Sequence, residues 1–186
     1  VSGRPMAVQA LMDLPLTESQ RFILRNDMNG VSKLKNVLKA SSSSAEFSIL
    51  NHMTDGQAST CVEGSSHLAL DKPVTIAACD NGMIYNSKKF ELLMEEDEFD
   101  VIVWAAKGYP GAIRSPYMYG WIDADNSGIV QNISVKTPLD NPSKDLIVVG
   151  TFTYKKLSDF IESVEMMKER KGQVNGEYYV DTAIND

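Results

Sequence analysis

Apolar positions along this chain fall into two spacings, and the change between them outlines the fold. Pro5 suits the first turn of a helix, with Met6, Val8, Leu11 and Met12 as its apolar side and an end near Pro15. Phe22–Leu24 reads as a short strand. Asn29-Gly30 marks a turn, and Leu34, Val37 and Leu38 return to helical spacing. The serines at 41–44 form a solvated loop before a strand over Phe47–Leu50. Thr54-Asp55-Gly56-Gln57 has the form of a capping box, with Thr54 as cap and Gln57 three residues on. A helix should follow to about Leu70.

Val74–Cys79 is a near-continuous apolar run between Pro73 and Asp80-Asn81-Gly82, as in a strand buried on both faces of a parallel sheet. Ser87 opens a helix with Phe90, Leu93 and Met94 on one side, and Val101–Ala106 is another apolar strand. Tyr117–Ile122, Gly128–Val135 and Leu146–Tyr154 read as strands, with Asp125-Asn126-Ser127-Gly128 as a hairpin turn. Leu157, Phe160, Ile161, Val164 and Met167 mark an amphipathic helix. Lys168, Arg170, Lys171 and Gly172 signal its end. Glu177–Asp186 looks like the start of one more helix.

Strands alternate with helices in the first half, and a strand-rich stretch precedes one long helix. The pattern predicts a single α/β domain over residues 1–186, in three layers, with a mixed and mainly parallel sheet. Loops that follow parallel strands then share one edge, where ligands bind. Val1-Ser2-Gly3-Arg4-Pro5-Met6 resembles the turn into a helix more than a natural beginning, so the domain is expected to be cut at both ends.

Composition narrows the partners. Of 186 residues, 43% are hydrophobic and 23% charged, an ordinary soluble balance. No transmembrane run or signal sequence is visible. A net charge of −7 argues against nonspecific binding to nucleic acid or an anionic membrane. Cys61 and Cys79 lie in apolar stretches and read as buried reduced thiols, which favours the cytoplasm. With two histidines, His52 and His67, outside any ligand spacing, a histidine-based metal site is not expected.

Several residues could carry chemistry. Asp80 follows an apolar strand, and Asn81-Gly82 can turn tightly and let phosphates approach the backbone. Magnesium needs only one or two carboxylates beside phosphate oxygens. An Asx turn, in which Asp80 merely bonds the loop, accounts for it equally well by chemistry alone. Gly56 at a helix start exposes N–H groups to a base or phosphate, whereas Gln57 by itself reads better as part of the cap. Lys136, at a strand end, could offset phosphate charge as a point cation or be simply solvated. Glu177 and Asp181 are four apart, on one helical face, among tyrosines that suggest inward packing. Gly120 in a strand interior implies a bulge or a close approach. Arg114 lies in a Pro- and Gly-rich loop that could meet phosphate.

In order, Gly3-Arg4-Pro5-Met6, Thr54-Asp55-Gly56-Gln57-Ala58, Cys79-Asp80-Asn81-Gly82, Tyr119-Gly120-Trp121, Ser134-Val135-Lys136-Thr137-Pro138, Gly150-Thr151-Phe152 and Glu177-Tyr178-Tyr179-Val180-Asp181 resemble the sugar-phosphate nucleotidyltransferase family. The resemblance is closest to its bacterial capsule and surface-polysaccharide branch. It implies a three-layer Rossmann-like fold and transfer of a nucleoside monophosphate from a triphosphate to a sugar 1-phosphate, with release of pyrophosphate. Asp80 and Asp181 match its magnesium ligands, and Asp55, Gly56 and Gln57 its nucleotide-binding segment. Gly120 and Glu177 match sugar contacts, and Lys136 matches the lysine on the sugar phosphate. The implied partners are a nucleoside triphosphate and a sugar phosphate, with magnesium as cofactor and self-association left open.

Two features depart from the family. Its glycine-rich phosphate loop should stand just before Gly3 and is not in the chain, so this chain alone is expected to turn over little. The usual Glu-Lys-Pro is Val135-Lys136-Thr137, which removes an acidic sugar contact. Two other readings stand beside this one: a metal-dependent glycosyltransferase, although Asp80-Asn81-Gly82 lacks that class's Asp-x-Asp, and a noncatalytic nucleotide- or sugar-binding module.

Overall fold

The computed structural model describes residues 3–186, so the Val1–Ser2 part of the expected opening turn lies outside them. Helix α1 (Met6–Met12) starts after Pro5 as predicted. Strands β1 (Gln20–Arg25) and β2 (Ala45–Leu50) pair in parallel, Gln20 opposite Ala45 and Arg25 opposite Leu50. Alternation gives this ribbon two distinct sides. On one, Phe22 and Phe47 stack at 5.8 Å, and α2 (Val31–Ser41) lays Lys35 and Lys39 over the Phe47 ring. On the other, the Ser48 hydroxyl donates to the Gly64 carbonyl of α3 (Gln57–Gly64) at 2.7 Å, and Ile23 packs against Gly64. Helix, sheet and helix form the three expected layers.

The larger sheet is built around β7 (Leu146–Tyr154), whose long apolar run is buried along most of its length. One whole edge of β7 pairs with β4 (Val101–Lys107). Its other edge is shared. β3 (Val74–Ala77) takes Thr151–Tyr154, then β5 (Gly120–Ala124) takes Leu146 and Ile147, with β6 (Val130–Val135) beyond β5. All of these pairs are antiparallel, so β3 and β4 run parallel to each other with β7 between them. Strands and helices mix as expected, but this sheet is antiparallel throughout; the parallel pairing among the described residues is that of the separate β1–β2 ribbon, so the mainly parallel sheet that was predicted is not formed. The run Val74–Cys79 is likewise not a strand buried on both faces. β3 stops at Ala77, and only Ile76 within it is fully buried.

Helix α6 (Leu157–Glu169) covers this sheet. Its residues Leu157, Phe160, Val164 and Met167 are all buried, so the predicted stripe is the core-facing one. Its end is a Schellman turn in which the N–H of Gly172 bonds the Met167 carbonyl at 2.9 Å. The left-handed residue is Lys171 (φ 57°), one position before the expected glycine. The hairpin turn also holds. The Asp125 carboxylate accepts from the Ser127 hydroxyl and from the N–H groups of Ser127 and Ile129, and these bonds, the hydroxyl's above all, hold its pKa below the usual carboxylate value.

Other boundaries differ from the sequence pattern. α3 ends at Gly64, not near Leu70, with Ser65 as its C-cap; Gly64 lies against Ile23, where a Cβ would have no room. Its cap is Gly56 rather than Thr54, whose hydroxyl instead bonds the Gly56 carbonyl and lies beside the Thr60 hydroxyl. Residues 116–118 form a single 3-10 turn, so Gly120 opens β5 instead of sitting inside a strand. α4 (Ser87–Glu95) begins where expected, with the Asn86 side chain accepting from the Lys89 N–H at 3.0 Å. Cys61 and Cys79 are both free. Cys61 is partly buried, and burial raises its thiol pKa to about 12. Cys79 is exposed, contrary to expectation, because it stands in the loop after β3. Among the described residues no helix is long and apolar enough to cross a membrane.

Candidate functional site

Glu177 and Asp181 do not share a helical face. α7 is the single turn Val180–Ala183, and Glu177 precedes it in an extended segment bridged to Val174. This segment turns out to organise the site. Tyr178 and Val180 are buried in the main core, which anchors the backbone and leaves Glu177, Tyr179 and Asp181 to meet neighbouring loops.

On one side the segment meets the start of α3. The Tyr178 N–H donates to the Asp55 carbonyl at 3.0 Å, and the Tyr178 carbonyl accepts from the Ala58 N–H at 3.0 Å. Gly56 passes so close that a Cβ there would lie 2.4 Å from Tyr178 backbone atoms, and its φ of 145° is open to glycine. Gly56 therefore has a packing reason to be glycine. Lys168 of α6 closes this corner, 3.7 Å from the Asp55 carboxylate and 5.4 Å from the centre of the Tyr178 ring. Gln57 is exposed beside it.

On the other side lie the loop after β6 and the start of β5. Lys136 holds a left-handed conformation (φ 56°), unusual for a residue with a side chain, and its N–H is fixed to the Tyr119 carbonyl at 2.9 Å. Its ammonium donates to the Tyr179 hydroxyl at 2.9 Å, and that hydroxyl donates to the Glu177 carboxylate at 2.6 Å. The Tyr179 bond, followed by the charges nearby, raises the Lys136 pKa and keeps it cationic. Gly120 abuts Asp181: a Cβ on Gly120 would stand 2.5 Å from the Asp181 Oδ2 and 3.2 Å from Val148. Burial pushes the Asp181 pKa up to about 6, against the opposing pull of backbone N–H bonds and Lys136.

Asp80 approaches from a third direction. It is exposed in the loop after β3, and its neighbour Asn81 donates from its side chain to the Val149 carbonyl at 3.0 Å. Ala78 bonds the Gly150 carbonyl at 2.9 Å. The Asp80 loop thus borders residues 149–150 of β7, directly after Val148, which touches the Gly120–Asp181 contact. The structure thereby joins Gly120, Lys136, Glu177 and Asp181 into one cluster, with Asp55–Gly56 and the Asp80 loop on its borders. Arg114 ends α5 (Pro110–Arg114) and is exposed.

Among the described residues, no group of three carboxylate, histidine or cysteine side chains is poised to hold a metal. The donor set still fits magnesium, which takes one or two carboxylates and completes its shell with water and phosphate oxygens. Asp181 is a largely desolvated carboxyl, the kind of group that a cation stabilises in its charged form. Sequence reasoning missed Tyr179, the shared partner of Lys136 and Glu177. It lay within the Glu177–Asp181 stretch, but its hydroxyl has two partners in the fold, one of them 43 residues away, which no local spacing shows.

No family model matches the chain, and no match is found among curated proteins. Solved structures do match. The nucleoside-diphosphate-sugar pyrophosphorylase of Vibrio cholerae RC9 has a TM-score of 0.66 at 16% identity, over 89% of this chain and 66% of its own. A UDP-glucose pyrophosphorylase complexed with UDP-glucose gives 0.64 at 17%, over 97% and 72%. A putative glucose-1-phosphate thymidylyltransferase from Bacillus anthracis, in complex with sucrose, gives 0.62 at 16%, over 89% and 61%. The chain thus spans between 61% and 72% of the length of these proteins. It has their mixed α/β fold.

Proposed function

We propose that the whole protein is a magnesium-dependent nucleotidyltransferase that joins a nucleoside monophosphate from a triphosphate to a sugar 1-phosphate and releases pyrophosphate. The observation that carries this reading is the convergence on the Glu177–Asp181 segment. A fixed cation, a hydroxyl-accepting carboxylate and a desolvated carboxyl meet there, on a fold shared with pyrophosphorylases. A cation beside carboxylates suits a ligand that carries both phosphate and hydroxyl groups.

In this reading Lys136 holds the sugar phosphate as a point charge, and Gly120, which leaves room for the Asp181 carboxylate, brings backbone close to the sugar. Glu177 accepts from sugar hydroxyls. Asp55, Gly56 and Gln57 border the nucleotide, although Gly56 also serves the packing against Tyr178. Asp80 and Asp181 would hold magnesium, which when bound supplies charge neutralisation on the phosphates. The attacking oxygen belongs to the sugar phosphate and the leaving group is pyrophosphate, so the chain's own work is alignment and electrostatic stabilisation. Service to surface-polysaccharide synthesis is part of the proposal and rests on the sequence resemblance; a cytoplasmic setting is proposed from the two free cysteines.

The test is pyrophosphate release by the whole protein with magnesium, a panel of triphosphates and sugar 1-phosphates. Turnover should appear and fall about 10²–10³-fold in Lys136→Ala. Sugar transfer with release of nucleoside diphosphate, or ligand binding without turnover, would overturn the reading.

A further inference from the structure

Lysine can only donate hydrogen bonds and an ionised carboxylate can only accept them. Between the two, the Tyr179 hydroxyl has no freedom of polarity. It accepts from Lys136 at 2.9 Å and gives its own proton to Glu177 at 2.6 Å. The bridge therefore commits one of the three ammonium protons and leaves two for another anion. It also commits one Glu177 oxygen and leaves the second for a donor. The backbone supports both ends. Lys136 is held in its left-handed conformation by the bond to Tyr119, and Tyr179 sits between the buried residues Tyr178 and Val180.

We propose that Tyr179 is a positioning residue that sets the spacing between a phosphate anchor, Lys136, and a hydroxyl acceptor, Glu177, and so selects ligands in which phosphate and sugar hydroxyls are held at that spacing. This rests on the acceptor-site reading above and adds to it the source of selectivity for sugar phosphates over plain phosphate. Without the phenol oxygen, Lys136 remains able to attract phosphate, but neither it nor Glu177 is held at a fixed separation. Selectivity should then collapse while general anion attraction survives.

The experiment is calorimetry on the whole protein with two probes, glucose 1-phosphate and inorganic phosphate. Tyr179→Phe removes one oxygen from a half-buried ring, and unchanged circular dichroism will show that it folds. The wild type should prefer glucose 1-phosphate. In Tyr179→Phe that affinity should fall about tenfold, with inorganic phosphate changed less than twofold, and nucleoside triphosphate affinity should stay put. Exposed Glu177 gives a second variant: in Glu177→Gln the same preference should shrink, and the double variant should lose no more than the larger single loss. Equal loss for both probes, or losses that add in the double variant, would mean an ordinary structural tyrosine and overturn the inference alone. Failure of the wild type to prefer the sugar phosphate would overturn the acceptor-site reading and this inference together.

Discussion

The β1–β2 ribbon and the β7 sheet are both strands with helices packed on them, yet they are held very differently. The main cluster of buried residues draws on β3, β5, β6, β7, α3, α6 and α7, and no residue before Ala58 belongs to it. In the ribbon and α2, only Leu24, Leu38 and Leu50 are buried. The candidate site follows this division. Gly120, Lys136 and Glu177–Asp181 grow from the heavily packed body, where anchors such as Val148, Tyr178 and Val180 fix the backbone. The lesson is that the Glu177–Asp181 cluster stands on the densely packed body, while the ribbon is thinly packed.

Cavity formation should show the contrast most strongly. Phe160 is fully buried and packs edge-on to Tyr154 at 5.3 Å, so Phe160→Ala should cost about 4 kcal/mol of unfolding free energy in a denaturant titration. Gly56→Ala tests the seam between α3 and the organising segment. Its Cβ would meet Tyr178 backbone at 2.4 Å in a conformation that disfavours side chains, and a loss of about 3 kcal/mol is expected. Leu24→Ala, in the ribbon, should cost only about 2 kcal/mol, because thin packing can settle around the gap. If Leu24→Ala matched Phe160→Ala, the two regions would be equally well packed and the comparison would fail.

A smaller effect comes from Asp181, and its sign is opposite. A folded pKa near 6 lies above the ordinary 3.8, so the folded state binds the proton more tightly than the unfolded one. The stability from this proton is complete below about pH 4 and is lost as the pH rises through 6. Asp181→Asn should therefore be more stable than the wild type by about 2 kcal/mol at pH 7, with the difference vanishing near pH 4. Melting curves at the two pH values check it, and magnesium with a triphosphate should narrow the gap by stabilising the charged wild type.

Much of the body was legible in the sequence for the same reason that it is stable. The nine-residue run of β7 and the stripe Leu157, Phe160, Val164 and Met167 announce themselves because strong burial demands regular apolar spacing. The Asp125 turn was legible through its local side-chain bonds. Glu177–Asp181 was not, since a single helical turn shows no period and its shape is set by partners at Asp55, Gly120 and Lys136. The length of α3 was misjudged because nothing in the local pattern marks Ser65 as the C-cap, and the apolar Leu68 and Leu70 lie beyond the helix that ends at Gly64. Cys79 and Asp80 show a third limit: an apolar run says where a strand is, but not that the strand stops at Ala77 and leaves both residues exposed. Candidate site residues were named from ordered short stretches, whereas the meeting of Gly120, Lys136, Glu177 and Asp181 could be seen only in the fold.

Central to the proposed function is that Asp80 and Asp181, carboxylates 101 positions apart, would hold one cation beside that meeting point. Titrating the whole protein with manganese in the presence of a nucleoside triphosphate, and following free manganese by electron paramagnetic resonance, tests it directly. The account predicts one tight site per chain that is weakened at least about tenfold in both Asp80→Asn and Asp181→Asn. Tight binding that survives either substitution would contradict it.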